Sequence, residues 1–160
     1  MSYSKYFLLL IVCFLTQSCV QAKMVSQADV EPYTKLIGTR YILLTDCYIF
    51  NYVDSPRDYK LLGPIGANAP NFGIGIHKEM NPSLMNKRIG ICYIQDFLSK
   101  GSVLKIVDIQ KKVTFEHITY YRFYIEVETN VEKYGKLDAF WLVERDFPPE
   151  KFNENFLKKL

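Results

Sequence analysis

The sequence predicts a mainly β domain, either a small barrel or a strongly bent antiparallel sheet, with a long loop insertion and a short C-terminal helix. Three observations predict it. Aromatic residues are plentiful, with twelve Tyr, eleven Phe and one Trp, and together with many Ile and Val they fit a pleated, half-buried surface. Short runs rich in these residues recur along the chain. Between them, prolines and glycines fall where a helix would have to pass.

The first element lies outside this domain. Residues 1–22, MSYSKYFLLLIVCFLTQSCVQA, carry one charge at Lys5, an apolar run over 6–15 and a polar end at Val20-Gln21-Ala22. That is the layout of a secretory signal peptide with a small-residue cleavage site. The run is well short of the roughly 20 residues needed to cross a bilayer. The expectation is export to the periplasm or the medium, with Lys23 first in the mature chain. Leu15-Thr16-Gln17-Ser18 before Cys19 resembles a bacterial lipobox, although Thr16 stands where that pattern has a branched apolar residue. The resemblance implies, as the alternative, lipidation at Cys19, an outer-membrane lipoprotein, and membrane contact in that case only.

Charge excludes one class of partner. The formal net charge is +3, one unit of it from Lys5, and no basic stripe occurs. Nucleic acid is therefore not expected as a partner. Beyond the leader two cysteines remain, Cys47 and Cys92, and in an oxidising compartment they most simply form one disulfide. The alternative is two separate buried thiols, because Tyr48, Ile49, Ile91 and Tyr93 flank them. Zinc is disfavoured, since there is no CxxC pair and neither histidine has ligand spacing. No metal or cofactor is expected.

Residues 23–36 are polar and interrupted by Pro32, and read as a linker. The runs 40–44 and 47–53 follow, separated by Thr45-Asp46, a candidate hairpin or bulge. Residues 54–71 contain Pro56, Gly63, Pro64, Gly66 and Pro70 and read as a long surface loop. A short strand is expected at 72–77 and a loop or single turn at 81–87. Strand signals return at 89–93, 103–109, 113–128 and 139–144. In 120–128, Tyr121, Phe123, Ile125 and Val127 share one face, which should be core. Tyr120, Arg122, Tyr124, Glu126 and Glu128 share the other, which reads as solvent-facing. Residues 103–109 alternate poorly, as expected of a strand buried on both sides. In the tail, 148–160, Phe152, Phe156 and Leu160 recur every fourth residue after Pro148-Pro149-Glu150, the pattern of a short helix.

Residues Phe97-Leu98-Ser99-Lys100-Gly101-Ser102-Val103-Leu104-Lys105-Ile106-Val107, the aromatic strand 120–127 and Ala139-Phe140-Trp141-Leu142-Val143 resemble elements of bacterial SH3-like domains. The resemblance spans roughly half of the chain after the leader and implies a small barrel. It places an SH3-like β domain at 37–147 and implies non-catalytic binding of a peptide, a protein or cell-wall material of the bacterial envelope. The candidate binding residues are Tyr120, Tyr124, Tyr134 and Trp141, because aromatic anchors carry much of the energy of recognition surfaces. For Trp141 a core position is the plainer reading. A periplasmic immunity protein that neutralises a secreted toxin fits the same features.

One enzymatic pattern is weighed. Asp46-Cys47 resembles the Asp-Cys-Ser-Gly nucleophile element of cell-wall cysteine peptidases, and His77 or His117 would have to serve as the base. Tyr48 and Ile49 replace the Ser and Gly, and the flanks favour a strand where that family begins a helix. Catalysis is the remote alternative, and no catalytic residue is assigned.

Overall fold

The computed structural model describes residues 24–53, 60–66, 80–113, 119–144 and 151–160. The fold is mainly β. Its strands are β1 (Met24–Ser26), β2 (Arg40–Leu43), β3 (Cys47–Tyr52), β4 (Lys60–Pro64), β5 (Arg88–Ile89), β6 (Cys92–Leu98), β7 (Val103–Val113), β8 (Thr119–Val127), β9 (Leu137–Asp138), β10 (Val143–Glu144), β11 (Lys151–Phe152) and β12 (Leu157–Lys159). Ten form one sheet in the order β12-β2-β7-β8-β9-β4-β3-β6-β5, with β1 also on β7, while β10 and β11 pair separately. All pairings are antiparallel except β4 with β9. Among the described residues one short α-helix occurs, α1 (Val131–Tyr134).

The sheet is buried on both faces at its centre. In β3, Cys47 and Ile49 enter the larger hydrophobic cluster, with Leu62, Leu98, Ile106, Phe123 and Ile125. Tyr48 and Phe50 point the other way into a smaller cluster with Leu61, Cys92 and Ile94, which Phe140 and Trp141 help to cover. A strand buried on both faces loses polar alternation, as 47–50 does.

β7 is the spine. β2 pairs with its first half and β1 with its second, along the same edge, while β8 runs the whole length of the other. The register slips between Ile106 and Asp108, opposite Ile125 and Tyr124. That bulge explains the poor alternation of 103–109. Leu104 and Ile106 face the core, the phase then shifts, and Ile109 is buried in turn. One face is core throughout, so the expectation of two buried faces is corrected.

Five further expectations are corrected. The 23–36 segment is no linker over its described residues: β1 joins the sheet, and Tyr33 is buried with its ring 4.5 Å from that of Tyr121. Thr45-Asp46 makes no hairpin, because β2 pairs with β7 and β12 while β3 pairs with β4 and β6. Within the expected loop 54–71, β4 is a central strand. Ile65 N–H donates to Asp46 O, so antiparallel alternation turns the missing donor of Pro64 away from β3. On that side β9 pairs only with Lys60 and Leu61, and proline costs no ladder bond.

The tail is not helical over 151–160 but strand, turn, strand. Asn153 Oδ1 accepts from Asn155 N–H, and Asn153 O accepts from Phe156 and Leu157. This side-chain turn competes with a helix. It buries Phe152 and Phe156 while Leu160 stays 58% exposed, so the four-residue spacing is not one helical face.

The disulfide is not formed. Cys47 lies opposite Leu98 and Cys92 opposite Tyr52, at the two ends of the β3–β6 ladder. At about 3.3 Å per residue the two are some 16 Å apart along the strands, far beyond bridging distance. Both are buried free thiols. The leader 1–22 with Cys19, the expected strand 72–77, and both histidines lie outside the described residues.

Candidate functional site: an aromatic and cationic sheet face

The alternation of β8 builds this face. Phe123, Ile125 and Val127 turn into the larger core, which leaves Tyr120, Arg122 and Tyr124 on the opposite side. The neighbouring strands set Lys112 opposite Tyr120, Gln110 opposite Arg122, and both Asp108 and Asp138 opposite Tyr124. The sheet thus brings a row of polar groups together from distant parts of the chain.

Each is tied down. Ser26 Oγ and Gln110 Nε2 donate to the Asp108 carboxylate, both at 2.8 Å. Arg122 Nη1 lies 3.2 Å from Asp138 Oδ2, with the two side chains 12% and 1% exposed. Asp138 Oδ1 also accepts from Phe140 N–H at 3.0 Å, which fixes the start of the 3₁₀ turn Phe140–Leu142. Burial acts to lower the Arg122 pKa, but Asp138 and Tyr124 outweigh it and hold the guanidinium above its ordinary value.

Over this base sits Tyr120, half-buried. Phe140 meets its ring edge-on at 6.2 Å, and Phe140 in turn meets Trp141 at 5.1 Å. Lys112 Nζ and the Arg122 guanidinium carbon stand 5.8 and 5.9 Å from the Tyr120 ring centroid. Such distances allow cation–π attraction. The result is an aromatic ring edge-on to Phe140 with two cations beside it.

The four candidate residues do not form one surface. Tyr120 lies on this face, and Trp141 is half-buried beside it in the smaller cluster. Tyr124 is 2% exposed, which corrects its expected place on a solvent-facing surface. Its place between Asp108 and Asp138, in the middle of three paired strands, encloses it. Tyr134 packs against the larger core instead, and its hydroxyl donates to Asp96 Oδ2 at 3.2 Å. Lys133 Nζ meets the same oxygen at 2.7 Å. Burial alone would raise the Asp96 pKa; the bonds from Lys133, Phe97 N–H and Tyr134 bring it below its ordinary value.

Neither cysteine has the environment of a nucleophile. Burial drives the Cys47 thiol far up, with Asp46 adding to the effect, and pushes Cys92 up to about 11. A reactive thiol needs the opposite shift. Among the described residues no group of His, Cys, Asp or Glu could hold a metal ion, and no helix is long and apolar enough to cross a membrane.

A second concavity went unread in the sequence. Tyr41, Phe152 and Leu157 line a depression of about 500 Å³ together with Lys151, Glu154, Lys158 and Lys159. The doublet Lys158-Lys159 was the available signal, but a helical tail would have placed the two lysines differently. No protein-family model, curated protein or solved structure significantly matches this chain.

Proposed function

We propose that this chain is an exported, non-catalytic binding module that recognises a peptide, a protein or a cell-envelope component through Tyr120 and the groups around it. The SH3-like resemblance of 97–107, 120–127 and 139–143 belongs to the same reading. The observation that carries it is the setting of Tyr120, half-buried, edge-on to Phe140 and flanked by Lys112 and Arg122. A rigid aromatic ring beside cations gives contact area at little entropic cost, which is what recognition surfaces select. The raised thiol pKa values speak against the cysteine-peptidase alternative.

The experiment is a pull-down from the envelope fraction of cells that make the protein, comparing wild type with Tyr120→Ala. Capture of a specific component that falls about tenfold in the variant, at unchanged thermal midpoint, is expected. Equal capture by both proteins removes Tyr120 from the binding surface.

A further inference from the structure

We propose that the outer edge of β12 takes up an extended acidic segment of another protein as an additional strand. This goes beyond the Tyr120 face and does not depend on it.

β12 ends the strand order of the sheet, and among the described residues nothing pairs with its outer side. The register states which groups face outward. Leu44 N–H donates to Phe156 O and Leu160 N–H donates to Arg40 O. With Lys158 opposite Ile42, antiparallel alternation makes 156, 158 and 160 the bonded positions toward β2. The N–H and C=O of Lys159 and the C=O of Leu157 therefore point away from the sheet. They are a donor and two acceptors in the spacing a pairing strand requires.

The surroundings choose the occupant. Beside this edge opens the 500 Å³ depression, its apolar lining including Tyr41, Phe152 and Leu157, with Tyr41 edge-on to Phe152 at 4.8 Å. It offers an apolar seat for alternate side chains of an added strand. Lys151 on its rim is compensated by Glu144 at 3.5 Å and Glu154 at 3.4 Å. Lys158 and Lys159 are exposed and have no ion-pair partner among the described residues.

Lysines on an edge ordinarily keep like edges apart. Two copies of β12 side by side would set these lysines against each other, so a second copy of this chain is disfavoured. The same charges are complementary to carboxylates. Nucleic acid fits less well, because its phosphates need a continued cationic track, and the chain has a formal net charge of only +3. An edge that rejects itself and accepts acidic strands discriminates by repulsion as well as attraction.

The test titrates the full chain into a fluorescent peptide of about ten residues that alternates glutamate with valine, long enough for one strand. Binding that weakens with added salt is expected, with none to the lysine–valine counterpart. Lys158→Glu with Lys159→Glu should weaken binding about tenfold or more. Lys159→Pro removes only an outward N–H and should do the same at unchanged circular dichroism. A glutamate–valine peptide N-methylated on alternate residues supplies the same check without altering the protein, and should fail to bind. Equal binding of the methylated peptide overturns strand addition. Equal binding of the lysine peptide, tighter binding of single-stranded DNA, or dimerisation through this edge overturns the acidic occupant.

Discussion

The Arg122 guanidinium lies 3.2 Å from the Asp138 carboxylate, and both side chains are largely withdrawn from solvent beneath the aromatic face. The pair joins the end of β9 to the middle of β8. Through Asp138 Oδ1 it also anchors the turn that carries Phe140 to Tyr120. A buried ion pair gives little net stability over a hydrophobic one, but losing one member leaves a charge stranded. Asp138→Ala should therefore cost about 3–5 kcal/mol in urea denaturation. Replacing both residues by leucine should recover much of that loss. If the single variant is as stable as wild type, the pair does not hold this face together.

Phe123 and Tyr124 are neighbours on opposite faces of β8, and both are buried. Phe123→Ala should cost about 3–5 kcal/mol through a cavity in the larger core. Tyr124→Ala should also destabilise, by about 2–4 kcal/mol on the same grounds. Chemical denaturation of the two variants checks both. A neutral Tyr124→Ala would mean that this side chain reaches solvent after all.

That second expectation marks where the sequence stops being legible. The alternation of 120–128 correctly placed Phe123, Ile125 and Val127 in the core. It could not reveal that Tyr124 would be enclosed by Asp108 and Asp138, because those partners come from elsewhere in the chain. β4 was invisible for a related reason. Gly63 and Pro64 deny local strand propensity, and only the bonding phase against β3 makes proline acceptable there. In the tail, an Asn153 turn produced a helix-like spacing of Phe152 and Phe156 without a helix. Composition and period carried the fold class; pairing partners decided the details.

The free thiols give a chemical check and a pH dependence. Native protein should react with iodoacetamide far more slowly than protein unfolded in urea, and mass spectrometry should find no Cys47–Cys92 bridge. Burial raises the Cys92 thiol from its reference value of 9.0 to about 11 in the folded chain. The unfolded chain then releases its proton first as pH rises, so it binds fewer protons than the native one over that interval. The contribution of this thiol should be level below about pH 8.5 and fall as pH climbs toward 11. A Cys92→Ala variant should lose part of that slope, and an unchanged slope would assign it to other groups.

Tyr120 and Tyr134 separate recognition from structure, because they occupy opposite sides of the sheet. Tyr134 packs on the larger core and donates to Asp96, which also holds Lys133 and the Phe97 N–H. Tyr134→Ala should lower the thermal midpoint through lost packing and leave capture of a partner intact. Tyr120 has its ring against Phe140 and its flank beside Lys112 and Arg122, and is only half-buried. Tyr120→Ala should therefore change the midpoint slightly and weaken binding by about 1–3 kcal/mol. Tyr120→Phe keeps the ring and the cation contacts and should retain most of the affinity, which separates the aromatic contribution from that of the hydroxyl. Titrating all three variants against the captured component decides the matter. If Tyr134→Ala abolishes binding in a folded protein while Tyr120→Ala does not, the recognition surface lies on the α1 side of the sheet.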